Sequence, residues 1–169
     1  MKVIQRNCLT NLVRLVILRG WRAQDFTSPH KLIMCYINLT PHDIDVFTAT
    51  AFQGLTQVNP TTWVADSVSH GQYVAAFPPA VKGGARIATK TIALPHGPGG
   101  IPIVATEYGE AIGIPDNVQP EDILIVSLPM LSMMNTTIHP LAGQCVSPYK
   151  VVRCSNNGSM ILGCMGFTK

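Results

Sequence analysis

Apolar residues in this chain fall into short runs of Val, Ile, Thr and aromatic positions, cut every eight to twelve or so residues by Pro, Gly or Asn, the cadence of a β-rich domain. Strands are predicted over 35–39, 44–50, 62–65, 73–77, 85–94, 101–108, 123–127, 151–154 and 160–164. Helical spacing is scarce. One short helix is predicted over 129–137, with Ser127 as N-cap and Pro129 in the first turn, where proline is tolerated. Met130, Met133 and Met134 recur at i, i+3, i+4 and read as a packed face. Asn156-Asn157-Gly158 predicts a type I′ turn joining the last two strands. No repeat or long linker divides residues 34–169, so the expectation is one β-rich α+β domain. Its single antiparallel or mixed sheet either stays open or partly closes into a barrel.

Composition sharpens this picture. Of 169 residues, 47% are hydrophobic and 12% charged, about half the usual charged share of roughly 25%, which excludes a solvated disordered tail. The net charge of +3 invites a nucleic-acid reading, but its location withdraws the invitation. Residues 1–33 carry six bases against Asp25, 6 − 1 = +5, while residues 34–169 carry six bases and eight acids, 6 − 8 = −2. No nucleic-acid binding is therefore expected through the body. The apolar stretch 8–21 is interrupted by Arg14 and Arg19, so it supplies neither a secretory core nor a membrane span. An Arg-rich, acid-poor leader suits a transit peptide, a membrane-surface helix or a basic arm. Because the alternating pattern begins at Met34, residues 1–33 read more simply as a basic extension upstream of the native start. A chain beginning at Met34 is expected to fold and function, with no membrane association.

The chemistry-bearing residues form few constellations. Cys8, Cys35, Cys145, Cys154 and Cys164 include no CxxC pair, and the odd count without a secretory leader predicts a reducing compartment. Cys145, Cys154, Cys164 and His139 are spaced too widely for a structural zinc site, so neither metal nor cofactor is expected. Cys154 and Cys164 are expected to face each other across the last hairpin or to enter the core. His42-Asp43-x-Asp45 supplies a histidine beside carboxylates, the best general-base candidate, although such side chains commonly satisfy backbone groups at a turn like Thr40-Pro41. Lys82-Gly83-Gly84-x-Arg86 combines two glycines, able to turn N–H groups inward, with two cations, and is the sharpest anion-binding hypothesis. It is neither a Walker loop nor a dinucleotide fingerprint. The loop His96-Gly97-Pro98-Gly99-Gly100 is similar to an esterase oxyanion loop but has no accompanying GxSxG.

The phrase Asn38-Leu39-Thr40-Pro41-His42 is followed in order by Phe77-Pro78-Pro79, Ala85-Arg86, Gly100-Ile101-Pro102-Ile103-Val104, Gly113-Ile114-Pro115, Ile123-Leu124-Ile125-Val126-Ser127 and Val146-Ser147-Pro148. In this the chain, across 34–169, resembles a family of small bacteriophage and prophage proteins, with 51–72 resembling an insertion. The resemblance brings no activity with it; it implies Met34 as the start and a protein made in the host cytosol during infection. Two function classes follow. One is a non-enzymatic accessory module, a homo-oligomer that captures a host protein or a small anionic, nucleotide-like ligand in counter-defence. In it Lys82, Gly83, Gly84, Arg86 and Arg153 hold the anion and Tyr108 stacks on a base. The other is a small hydrolase with His42 as base, Asp43 or Asp45 orienting it or holding a metal, and Glu107 or Glu110 as acid. A virion or structural component is a third expectation.

Overall fold

In the segment Ile123-Leu124-Ile125-Val126 every position is apolar, and a strand of that kind requires cover on both faces. The fold is built around it. A computed structural model describes residues 7–8, 35–60 and 62–169; the expectations placed on residues 1–33 lie outside these, apart from the backbone at 7–8. In chain order the strands are β1 (Asn7–Cys8), β2 (Cys35–Asn38), β3 (Ile44–Phe47), β4 (Phe52–Gln53), β5 (Thr56–Asn59), β6 (Thr62–Ala65), β7 (Ser67–Val68), β8 (Tyr73–Phe77), β9 (Arg86–Leu94) and β10 (Ile103–Ile112). β11 (Ile123–Ile125), helix α1 (Leu128–Thr136), β12 (Cys145–Cys154) and β13 (Ile161–Thr168) complete the chain.

The main sheet runs β1-β2-β11-β12-β13-β3-β8 and curls into a nearly closed barrel with one open seam. β2, β11 and β12 are parallel, and β12 to β13 and β3 to β8 are antiparallel, so the sheet is mixed. At the seam, β2 meets the end of β8 through a single bridge from Asn38 to Pro79 and the bond from Ala80 N–H to the Asn38 carbonyl, 2.8 Å. Alternate residues of each strand face opposite ways. Ile125, Val146, Val46, Cys164 and Phe77 fill the lumen, joined by Tyr36 and Phe167. Tyr36, Phe77 and Phe167 form a triangle with ring centroids 5.1, 5.6 and 5.9 Å apart, tying three strands together.

Outside the barrel, Ile37, Leu39, Leu124, Val126 and Cys145 pack against Met130, Leu131, Met133 and Met134 of α1, as the methionine spacing predicts. On the other flank Phe47 and Val152 pack with Ala51, Phe52 and Ala65. There Gly163 is required: a side chain at its position would stand 2.7 Å from the Phe47 ring. The segment 51–72 supplies the small β4–β7 ribbon and the strand pair β5–β6, which joins the sheet alongside β12.

Two sequence expectations are corrected. The loop between β12 and β13 is not a type I′ turn, because positive φ falls on neither Asn157 nor Gly158; it closes instead through Met160 N–H to the Asn157 carbonyl, 2.9 Å, and Cys154 N–H to the Met160 carbonyl, 2.9 Å. Cys154 does not face Cys164, since Cys164 pairs with Val151 while Cys154 pairs with Ala65 of β6; Cys164 instead enters the core, the other alternative, and Cys154 stays half-buried. Cys145, Cys154 and Cys164 are free thiols, but Cys35 is disulfide-bonded, which departs from a fully reduced set. Among the described residues, no helix is long and apolar enough to cross a membrane.

β9 and β10 form a ribbon of their own, apart from the barrel sheet. It touches the body at its base, where Ile87 and Ala111 pack onto the α1 core. No residue from 89 to 108 is buried. The glycine-rich loop 96–100 is the tip of this arm, with a short 3₁₀ turn at Pro98–Gly100.

Candidate functional site

β12 exchanges partners along its length. Cys145 and Val146 pair with β11, residues 152–154 pair with β6, and between them β12 has only β13 beside it. A cleft of about 1160 Å³ opens at this gap. Pro148 sits in the stretch because a strand with a free side tolerates a residue that has no N–H to donate. Lys150 sits there too, with φ of 51°, left-handed backbone that a lysine enters at a cost of about 1–3 kcal/mol.

The carboxyl ends of the parallel strands β2 and β11 lead to this cleft, beside the middle of β12. β2 runs into the turn 40–42, β11 runs into α1, and β12 continues past β11 as Ser147–Lys150; the residues that follow β2 and β11, with this stretch of β12, line the cavity. Ser127 occupies the N-cap position of α1 by its backbone angles but makes no side-chain capping bond. Ser127 and Leu128 stand in the cleft wall, which brings the positive end of the helix's peptide dipoles there. The Lys150 ammonium lies 5.3 Å from the ring centroids of both Trp63 and Tyr149, a cation over two aromatic rings.

The turn that presents His42 is locked by Asn38, whose side chain is fully satisfied though buried. Its amide donates to the carbonyls of His42, 2.7 Å, and Phe77, 2.6 Å. Its oxygen accepts from the Thr40 N–H, 2.9 Å, and the Thr40 hydroxyl, 2.7 Å. The expectation that His42 or Asp43 satisfies this turn is therefore corrected: Asn38 and Thr40 do so, and His42 contributes only its carbonyl, its side chain standing exposed in the cleft. Asp43 and Asp45 line the same cleft. Burial, then the charge of Asp45 and its hydrogen bond from the phenol, raise the Tyr73 pKa. Burial pushes the Cys145 thiol up to about 11 and, as the largest effect, raises Cys164 as well, so both stay protonated and inert near neutrality.

The remaining sequence candidates stand elsewhere. Lys82, Gly83 and Gly84 lie in the connection from β8 to β9. A side chain on Gly84 would approach the Pro41 nitrogen to 2.8 Å, and the N–H groups of Gly84 and Ala85 donate to the carbonyls of Val81, 3.0 Å, and Leu39, 2.6 Å. Gly84 thus serves close packing against the Asn38–His42 turn, whereas a side chain on Gly83 would meet open space. Arg86 pairs with Ile112 at the base of the arm, and Tyr108 stands exposed opposite Thr89 on it. Arg153 donates to the Gly158 carbonyl, 3.0 Å. None of these six lines the main cleft, and Glu110 lines a separate hollow of about 440 Å³ beside His139 and Ile138. Glu107 pairs with Lys90 on the arm. Of the candidate acid and base groups the cleft gathers His42, Asp43 and Asp45, without Glu107 or Glu110. Among the described residues, no three His, Cys, Asp or Glu side chains are grouped to hold a metal ion. Sequence reasoning missed Tyr149 and Lys150. A Tyr-Lys pair directly after Ser-Pro was the available signal, but the left-handed backbone that aims the lysine has no sequence signature.

No protein-family model, no curated protein and no solved structure matches this chain.

Proposed function

We propose that the domain is a non-enzymatic binding protein that captures a small anionic, nucleotide-like ligand in the cleft where β12 changes partners. The observation that carries this reading is the convergence of the β2 and β11 strand ends, beside the middle of β12, on one cavity that also holds Lys150 and the start of α1. Ligands commonly bind at such carboxyl ends, where helix N-termini and irregular backbone leave donors unspent. Lys150 and the α1 terminus suit a phosphate, the exposed Tyr149 ring offers a stacking face, and Asp43 with Asp45 suits ribose hydroxyls rather than a second phosphate. In the setting implied by the phage-family resemblance, the cytosol of an infected cell, such a ligand would be a nucleotide signal of host defence. The hydrolase reading keeps its base in this cleft but loses the acids assigned to it.

The test is calorimetric titration of the whole chain with ADP-ribose and with cyclic dinucleotides. Binding of one of them, weakened about tenfold or more by Lys150→Ala and unchanged by Lys82→Ala and Arg86→Ala, is the expected result. Loss in the Lys82 and Arg86 variants with Lys150→Ala unaffected would move the site to the glycine loop. Absence of binding by all of these nucleotides overturns the proposal.

A further inference from the structure

The β9–β10 arm is apolar yet uncovered. On the face turned away from the body Leu94 is 42% exposed and Ile103 43%, and an isolated two-stranded ribbon is marginal in water without something packed on it. Its register defines two faces. Ile87 and Ala111 are cross-strand partners and turn towards the α1 core, and Thr89 with Tyr108, Thr91 with Thr106, and Ala93 with Val104 continue that face along the arm. The opposite face, turned away from the body, carries the pairs Leu94–Ile103, Ile92–Ala105 and Lys90–Glu107.

This outer face is complementary to itself. Two arms stacked face to face about a two-fold axis parallel to their length set β9 of one copy over β10 of the other, with cross-strand partners at the same level. Leu94 then lies over Ile103 of the other copy, Ile92 over Ala105, and Lys90 over Glu107, each contact occurring twice as an isologous interface requires. Each body attaches through the inner face of its arm, so the two bodies stand on opposite sides of the paired arms. Edge pairing of like strands is disfavoured, because β9 against β9 sets two strands bearing only positive charge side by side, and β10 against β10 two strands bearing only negative charge.

We propose that the outer face of the β9–β10 arm is a homodimer interface whose occupant is the same face of a second copy of this chain. It involves none of the residues assigned to the ligand cleft, so the two proposals stand or fall separately.

Sedimentation velocity on the whole chain tests it with Lys90→Glu and Glu107→Lys. The parent is expected to be a dimer at micromolar concentration, and each single variant a folded monomer with dimerisation weakened at least about tenfold. A mixture of the two variants is expected to dimerise again, because each supplies the charge the other lacks. Since the mixture leaves the clash within each arm in place, its recovery reports the contact between chains alone. A parent that is monomeric at all concentrations, an assembly unchanged by both reversals, or a mixture that stays monomeric overturns the proposal.

Discussion

Lys150 departs from the ordinary behaviour of its residue type, and its departure separates stability from binding. Within β12, Tyr149 and Val151 keep their ladder partners Gly166 and Cys164 while the residue between them turns left-handed. A glycine there avoids the clash between Cβ and backbone, while an alanine keeps it. Lys150→Gly and Lys150→Ala lose the same contacts to Trp63 and Tyr149, so they differ only in backbone terms. The glycine variant is expected to be the more stable by about 1 kcal/mol in urea denaturation, despite the greater freedom it gives the unfolded chain. Both are expected to lose nucleotide binding. Equal midpoints for the two variants would mean that the left-handed conformation carries no strain, and would remove one ground for assigning the site there.

At the scale of elements, the turn after β2 works as a staple across the barrel seam. Asn38 reaches the Phe77 carbonyl of β8 with its side chain and the N–H of Ala80 with its carbonyl, closing an edge that the sheet otherwise leaves open. Asn38→Ala leaves the carbonyls of His42 and Phe77 without their donor and is expected to cost about 3 kcal/mol or more. Asn38→Asp should do no better, since it points an acceptor at two acceptors; an aspartate variant with the parent's unfolding midpoint would refute the staple. Much of this architecture was legible beforehand. The two-residue period located β2, β3, β6, β8, β9, β10, β11 and β13 to within a few positions, and the methionine spacing located the buried face of α1. Of β12 only 151–154 was located; the stretch before it contains Pro148, and only the sheet order reveals that this stretch has a free side able to hold a proline. The site was less legible for the same reason. His42 and Asp43 could be picked out as residue types, but the convergence of strand ends depends on β2, β11 and β12 lying side by side, which local sequence does not encode.

For the whole molecule, the low charge noted in the sequence is distributed unevenly between two parts with different work. The barrel, its helix and its flanking strands hold every core cluster among the described residues. The arm holds Arg86 and Lys90 on one strand and Glu107 and Glu110 on the other, a balance of 2 − 2 = 0, and exposes apolar side chains that contribute to no core. A protein stabilised by its barrel and assembled by its arm should survive losing the arm. Ala88 and Gly109 already lie side by side, a Cβ on Gly109 falling 3.4 Å from that of Ala88, so the chain can be rejoined there without disturbing Ile87 or Ala111. Deletion of residues 89–108 is expected to give a monomer that unfolds cooperatively, within about 1 kcal/mol of the parent when both are compared at dilutions where the parent is monomeric. Nucleotide titration of that variant should match the parent, because the cleft takes no residue from the arm. A shortened chain that fails to fold would show that the ribbon supports the barrel directly, whereas one that folds but no longer binds would place part of the ligand site on the arm, beside Tyr108.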